Sequence, residues 1–244
     1  MRKLFTLLAV FIAGVIFLSD NMVYARSIRT PEGNMPLVHW AVVESADGKM
    51  NDILAIGART LAPIVPSESG TYCLYGGVDV ENPNIMRLLE IYESYEAYRI
   101  HSSSEAFQQY RAERFPILKS LKLLEVNGIV IEQKASGVGE VVCMHRYEID
   151  PAQLAKYQQL VTDEAVRSVR DDDGVMGIFV TAEHDNPNII HTMEIFKDDS
   201  SQKKYLHSDF CKKLQSQTKD MIKSQRDIKN LPTKIILSDK GSKK

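Results

Sequence analysis

The sequence predicts an α+β fold built from two tandem copies of one domain. When the chain is shifted by 104 residues without a gap, Glu81-Asn82-Pro83-Asn84-Ile85 falls on Asp185-Asn186-Pro187-Asn188-Ile189, and Glu90-Ile91-Tyr92 falls on Glu194-Ile195-Phe196. The offset holds across predicted strands, turns and helices. A period this long is a whole domain, not a solenoid repeat of roughly 20–50 residues. Each copy of about 100 residues has room for its own core.

Apolar runs and turn residues predict the elements of the first copy. Residues 37–43 form an apolar run of strand length, Pro63 ends a helical pattern, Asn82-Pro83-Asn84 marks a hairpin turn, and Ser104 is a helix cap. The predicted strands are 37–43, 71–75, Ile85–Tyr92 and 126–131, and the predicted helices are 50–64, 95–100 and 104–124.

The second copy repeats this order. Its predicted strands are 141–147, 175–181, Ile189–Phe196 and 233–237, and its predicted helices are 154–166 and 205–228. The order strand–helix–strand–strand–helix–strand is the ferredoxin-like split unit. Such a sheet carries its helices on one face, so two copies can bury their bare faces against each other. We expect an intrachain pseudo-dimeric α/β barrel, in place of the homodimer that a single copy would need.

The N-terminus predicts a secretory signal peptide over residues 1–25. Arg2 and Lys3 precede an apolar run over 4–18, and Val23-Tyr24-Ala25 is a small-x-small cleavage site. The run is shorter than the roughly 20 residues that cross a bilayer. We therefore expect an exported, periplasmic or secreted protein, cleaved near Ala25 and without a stable membrane anchor. The remaining expected divisions are a linker at 26–36, a first domain at 37–133, a linker at 134–139, a second domain at 140–238 and a basic tail at 239–244.

Charge and cysteine usage limit the classes of partner. The chain has 30 basic and 32 acidic residues, and removing residues 1–25 leaves a net charge of about −3, so no basic face for nucleic acid is expected. Cys73, Cys143 and Cys211 have no counterparts at the 104-residue offset. They are expected to be small buried hydrophobes, although a disulfide between two of them stays open.

One segment resembles a known family. Residues 90–107 have a Glu and an aromatic ending a strand, an Ala in the next helix, then His, Ser and Phe: Glu90, Tyr92, Ala97, His101, Ser104 and Phe107. This pattern is similar to that of the antibiotic biosynthesis monooxygenase (ABM) family, in the dimeric α/β-barrel superfamily. With the fold order, the resemblance covers nearly the whole mature chain as two tandem ABM-like domains.

The resemblance implies cofactor-free oxygenation of a quinol or small electron-rich aromatic by molecular oxygen. A base removes a proton from the substrate, the anion reduces oxygen, and a dry pocket protects the intermediates. No cofactor and no metal are expected, and the sequence offers no phosphate-binding loop. The expected assembly is a monomer with an internal pseudo-dimer, or a higher homo-oligomer.

His101, Glu90 and Tyr92 are the candidate catalytic residues. His101 is the expected base because histidine titrates nearest neutral pH, and a capping role is its alternative. Glu90 and Tyr92 share one strand face, where Glu90 is either a pocket acid or a structural anchor. Because Tyr205 replaces His101 in the second copy, activity is expected in the first.

Pocket-lining positions are expected around these residues. His39 and Trp40 point to opposite faces of their strand, so one should line the helix-side cavity and the other the seam between the sheets. The expected pocket-lining residues are His39, Trp40, Tyr72, Phe107, Glu194, Phe196 and Tyr205. Two other functions stay open: a non-catalytic apolar-ligand-binding or stress-response protein, and a structural module whose barrel is fully packed.

Overall fold

A computed structural model describes residues 25–134 and 139–232. Strands β1–β9 are Ala25–Ser27, Leu37–Ser45, Thr71–Asp79, Ile85–Tyr92, Leu118–Lys134, Val141–Ile149, Val175–Glu183, Ile189–Phe196 and Ile222–Pro232. Helices α1–α7 are Met50–Thr60, Ile64–Ser67, Tyr95–Ser103, Glu105–Arg114, Leu154–Asp171, Asp199–Leu206 and Asp209–Thr218. Each half has the predicted ferredoxin-like order, with two helical segments in place of one at some positions.

The strands form one antiparallel barrel from both halves of the chain. Their order is β5-β2-β4-β3-β9-β6-β8-β7, and β7 pairs with β5 to close the ring, while β1 adds a short strand beside β5. The long strand β5 makes the closure: its first part pairs with β2 of its own half, and its last part pairs with β7 of the other half. Strand β9 joins β6 and the end of β3 in the same manner. The predicted intrachain pseudo-dimer is confirmed.

The barrel interior is a core shared by the two sheets. Trp40, Tyr75, Phe179 and Met193 are buried there with other apolar residues from both halves. The indole Nε1 of Trp40 donates a 3.0 Å hydrogen bond to the Thr181 Oγ1 across the interface. Separate apolar cores lie between each sheet and its own helices. The bare faces of the two sheets therefore stabilise each other, as the sequence predicted.

The helix predicted over 104–124 is wrong beyond Arg114. Helix α4 ends there, Phe115–Ile117 form a 3₁₀ turn, and β5 begins at Leu118. Pro116 lacks the backbone N–H that a continuing helix needs, and Leu121 in β5 is 47% exposed. The predicted cap is confirmed, since the Ser104 Oγ accepts a hydrogen bond from the Phe107 N–H.

The helix predicted over 205–228 is wrong beyond Thr218. Helices α6 and α7 end by Thr218, a 3₁₀ turn follows, and Ile222–Pro232 is strand β9. Both final strands are long because each must reach the opposite half to close the barrel. The strand predicted at 233–237 lies outside the described residues.

The predicted linkers and termini have mixed outcomes. The segment expected to be a linker at 26–36 contains part of β1, which pairs with the end of β5, and a fully buried Ile28. Most of the predicted signal peptide, the middle of the 134–139 linker and the tail at 239–244 lie outside the described residues. Cys73, Cys143 and Cys211 are all buried and free, which confirms their expected packing role. Within the described ranges, no helix is both long and apolar enough to span a bilayer.

Candidate functional site

A cavity of about 620 Å³ lies in the second half of the chain. It lies between one face of β6, β8 and β9 and the helices α5, α6 and α7, and it is partly open to solvent. The polar groups that reach it come from both walls: His145, Tyr147, Tyr157, Glu194, Tyr205 and Asp227. Its volume is in the range of small-molecule sites, and it excludes the alternative of a fully packed structural module.

His145 and Asp227 form a hydrogen-bonded pair on the sheet wall of this cavity. They lie directly opposite each other on β6 and β9, and the His145 Nδ1 is 2.7 Å from the Asp227 Oδ1. A carboxylate only accepts hydrogen bonds, so this contact places a proton on Nδ1. In the neutral ring Nε2 is then the basic nitrogen, and it is 3.9 Å from the Glu194 Oε2. The pair is a base with an orienting carboxylate.

The cavity environment favours neutral forms of its other acids. Burial raises the pKa of Glu194, and nearby His145 opposes this rise while Asp227 and Glu164 add to it. Burial and the charge of Glu194 raise the pKa of Tyr147, Tyr157 and Tyr205 well above the usual value for a phenol. These three hydroxyls are therefore hydrogen-bond donors rather than phenolates.

The carboxyl group of Asp227, beside Glu194 and the three tyrosines, favours the ionised form. Burial acts to raise the pKa of Asp227, but hydrogen bonds to Gln225 and His145 outweigh it and lower the pKa below its ordinary value. A negative carboxylate on one ring nitrogen stabilises the positive charge that the ring gains when its other nitrogen takes a proton. Asp227 thus provides what a histidine base needs during proton transfer.

In the first half, large side chains fill the corresponding volume. At the 104-residue offset, smaller residues of the second half replace larger residues of the first: Cys143 for His39, Gln202 for Tyr98, Cys211 for Phe107, Leu214 for Tyr110 and Thr218 for Arg114. The first-half rings pack on one another, with the His39 and Tyr98 centroids 4.8 Å apart and those of His101 and Phe107 5.0 Å apart. These five differences leave space on the helix side of the cavity, whereas His145, Tyr147 and Tyr157 are larger than their counterparts Ala41, Val43 and Ile53.

The sequence profile of the antibiotic biosynthesis monooxygenase family matches residues 38–113 and 140–217. The chain belongs to this family. Both copies match separately, at positions that agree with the two halves of the barrel. No curated protein matches the chain significantly.

Solved structures show the same ABM-type tandem fold. Two proteins described as putative monooxygenases, from Lactobacillus acidophilus NCFM and Fusobacterium nucleatum, superpose with TM-scores of 0.79 and 0.77, each at 18% identity. Each match covers 86% of this chain, and 99% and 98% of those chains. An anthrone oxidase-like protein superposes with a TM-score of 0.54 at 8% identity, covering 82% of this chain and 92% of that one. These likenesses show the fold.

The first-half residues predicted from the ABM pattern do come together, but in a packed cluster. His101 is 1% exposed, and its Nδ1 lies 2.9 Å from the Glu68 Oε2. The Tyr92 hydroxyl donates a 3.2 Å hydrogen bond to the Glu90 Oε2, which confirms that they share a face. Burial lowers the pKa of His101 against the opposing effect of Glu68. His101 is buried among neighbouring side chains, and its role as the base stays a prediction.

The other predicted pocket residues divide between two faces of the sheet. Glu194 and Tyr205 line the second-half cavity, and Phe196 packs on Tyr205 with ring centroids 5.3 Å apart. Trp40 and Tyr72 lie in the barrel interior instead, because alternate residues of a strand face opposite sides. His39 faces the helices, so the prediction that His39 and Trp40 separate is confirmed.

The sequence interpretation missed His145 and Asp227. Cys143, His145 and Tyr147 alternate along β6 and so share one face, which was a usable signal. The sequence gives no such signal for Asp227, because residues 205–228 are predicted as a helix and not as the strand that pairs with β6. Within the described ranges, no group of three or more potential ligands is arranged to hold a metal ion.

Proposed function

We propose that the second-half cavity oxygenates a quinol or small electron-rich aromatic with molecular oxygen, without a cofactor. The observation that carries the proposal is the His145–Asp227 pair on the wall of a cavity of about 620 Å³. Membership of the ABM family supports the class of reaction. The proposal moves the expected site from the first half to the second.

The proposed reaction begins with proton transfer to His145. A substrate C–H or O–H made acidic by its aromatic system gives its proton to Nε2, and Asp227 stabilises the resulting imidazolium. The substrate anion then passes one electron to oxygen, and the two radicals combine to form a carbon–oxygen bond. His145 returns its proton to the peroxide anion. The second hydrogen on the oxygenated carbon then leaves as a proton while the O–O bond breaks, so one oxygen atom stays in the product as a carbonyl and the other leaves with both hydrogens as water.

The remaining cavity groups suit this sequence. Neutral Tyr157 and Tyr205 can donate hydrogen bonds to substrate oxygens, and burial, which raises the pKa of Glu194, disfavours a second negative charge beside the substrate anion. A substrate that fills the cavity keeps water from the peroxide intermediate. A group with raised pKa next to a base with an ionised partner is a common arrangement for acid–base chemistry.

Oxygen uptake by the purified mature chain tests the proposal. A panel of quinols and anthrones would be assayed with an oxygen electrode, using wild type, His145→Ala and the surface control His184→Ala. We expect uptake by wild type and the control, and a fall of about 10²–10⁴-fold in His145→Ala, the usual contribution of a general base. No uptake with any substrate, together with a tightly retained apolar compound, would favour the ligand-binding alternative.

A matched variant in the first half separates the two candidate sites. His101→Gln removes the buried imidazole beside Glu68 but leaves the second-half cavity intact. We expect its turnover to stay within about threefold of wild type at temperatures where both are folded. A large loss in His101→Gln with full activity in His145→Ala would return the assignment to the first half.

We also infer that the protein is exported, because the predicted signal peptide precedes the first core residues directly. N-terminal sequencing of the protein recovered from its native cell compartment tests this, with a start near Arg26 expected. A start at Met1 in the cytoplasm would contradict it.

A further inference from the structure

A second pocket, here called the barrel-mouth pocket, opens at one end of the barrel interior. Its volume is about 230 Å³, and its floor includes Trp40, Leu124, Met144 and Ile228. Most of its lining lies on the opposite face of the sheet from the proposed catalytic cavity, although His145 and Ile228 line both pockets.

A row of basic residues surrounds the apolar floor. On each of three strands, a basic residue lies two positions from a floor residue and on the same face of the sheet. The pairs are Leu124 and Lys122, Met144 and Arg146, and Ile228 and Arg226. The side chains that face the barrel interior therefore change from apolar to cationic within two residue positions along these strands. This arrangement occurs in both halves.

The pseudo-twofold symmetry brings two such rows together. In the first half Val42 lies opposite both Arg87 and Lys122 on the neighbouring strands. In the second half the equivalent Arg146 lies opposite both His191 and Arg226. All six residues line the barrel-mouth pocket, so the barrel closure concentrates cations that the sequence spreads over both copies.

Part of this charge is compensated within the protein. Arg87 pairs with Asp79 at 2.9 Å, and His191 bonds Glu183 at 2.8 Å. The carboxylates one layer outward are engaged elsewhere: Glu44 with Lys119 and Ser120, and Glu148 with Ser224. In the described part of the chain, no carboxylate lies within ion-pair distance of Lys122, Arg146 or Arg226.

The uncompensated cations are placed where they repel. Arg146 and Arg226 face each other directly on adjacent antiparallel strands, and like charges in that position destabilise a sheet. Two guanidinium groups side by side can bind one carboxylate or phosphate with several charge-assisted hydrogen bonds. A bound anion would convert the repulsion into attraction.

We propose that the barrel-mouth pocket binds a small organic anion whose carboxylate or phosphate head contacts Arg146, Arg226 and Lys122. Its apolar body lies on Trp40 and Met144. The volume equals that of about eight water molecules, which suits a body the size of one benzene ring. The anion-binding residues lie on the opposite face of the sheet from the proposed catalytic cavity, although His145 and Ile228 line both volumes, and the proposal does not depend on the oxygenation.

The single tryptophan gives a direct assay. Trp40 is the only Trp in the chain and lines the pocket, so its fluorescence reports on this site. Benzoate would be titrated into the full mature chain, with benzyl alcohol as the neutral analogue and inorganic phosphate as the head group alone. We expect a saturable change with benzoate, at least tenfold weaker binding of the other two compounds, and weaker benzoate binding as salt is raised.

Two variants test whether the pocket arginines are responsible for benzoate binding. Arg146→Gln and Arg226→Gln should each weaken benzoate binding at least tenfold, whereas Arg170→Gln, which removes an exposed arginine outside the pocket, should not. Circular dichroism would check that each variant is folded. The salt dependence of benzoate binding is measured on the wild type, so it tests the role of charge without any substitution. Equal binding of benzyl alcohol or phosphate, or unchanged benzoate binding in both pocket variants, would overturn the proposal.

Discussion

The buried carboxyl of Glu90 should make the stability of the protein depend on pH. Burial raises the pKa of Glu90 from 4.5 to about 7, although a hydrogen bond from Tyr92 and the charge of Arg114 oppose the rise. In the unfolded chain the group ionises near its ordinary value. Between pH 4.5 and 7 the unfolded state therefore holds fewer protons than the folded state, and stability falls as pH rises through this window. Above pH 7 the loss is complete.

The size of the effect follows from the shift. Each tenfold change in proton affinity is worth about 1.4 kcal/mol, so the rise from 4.5 to about 7 sets an upper limit of about 3 kcal/mol. Solvent reaches part of this side chain, so we expect about 2 kcal/mol. Glu90→Gln keeps an oxygen that can accept from Tyr92 but cannot ionise. Relative to wild type, it should gain about 2 kcal/mol in stability between pH 4.5 and pH 8.

Urea unfolding followed by circular dichroism at pH 4.5, 5.5, 7 and 8 measures this difference. The change of the difference with pH is the test, because other effects of the amide shift stability equally at every pH. Glu96→Gln is the control: a hydrogen bond from Arg99 lowers the pKa of exposed Glu96, so its difference from wild type should change only near and below pH 4.5 and stay nearly constant from pH 5.5 to 8. A constant difference between Glu90→Gln and wild type would refute the reasoning.

Three further variants test the packing of the two halves. Cys211→Phe introduces the side chain of its first-half counterpart into the catalytic cavity, so oxygen uptake should fall at least tenfold with little change in the melting temperature; full activity would contradict the site assignment. Gly76→Ala would place a Cβ 1.9 Å from the carbonyl oxygen of Arg87, and urea unfolding should show a loss of roughly 1–3 kcal/mol or more. Trp40→Phe removes the hydrogen bond to Thr181 across the barrel and should cost about 0.5–1.5 kcal/mol, whereas an unchanged midpoint would mean that this bond adds nothing to the closure.

The element order and the barrel closure were predictable because their signals are local. Proline and asparagine turns, apolar runs and the fixed offset define each strand and helix without knowledge of distant contacts. The ends of the two long strands were not predictable in this way. Leu118, Leu121 and Leu124 are spaced as on one helix face, and only the pairing of β5 with both β2 and β7 selects a strand there.

The candidate site was harder to predict because it depends on differences between the copies. The ABM pattern selected residues of the first copy, and those residues form the packed cluster around Glu90 and His101. The cavity lies in the other copy, and its base pairs with an acid 82 positions away.

Duplication within one chain explains how the halves could diverge. In a homodimer every substitution appears in both subunits, so opening one cavity opens both and removes packing twice. Removing a buried aromatic side chain costs about 3–5 kcal/mol, a large part of the 5–15 kcal/mol that stabilises a typical protein. With two independent copies, Tyr98, Phe107 and Tyr110 keep the first half filled while the second half keeps its cavity. The filled half then stabilises the barrel, since β5 and β9 link the stability of each half to the other.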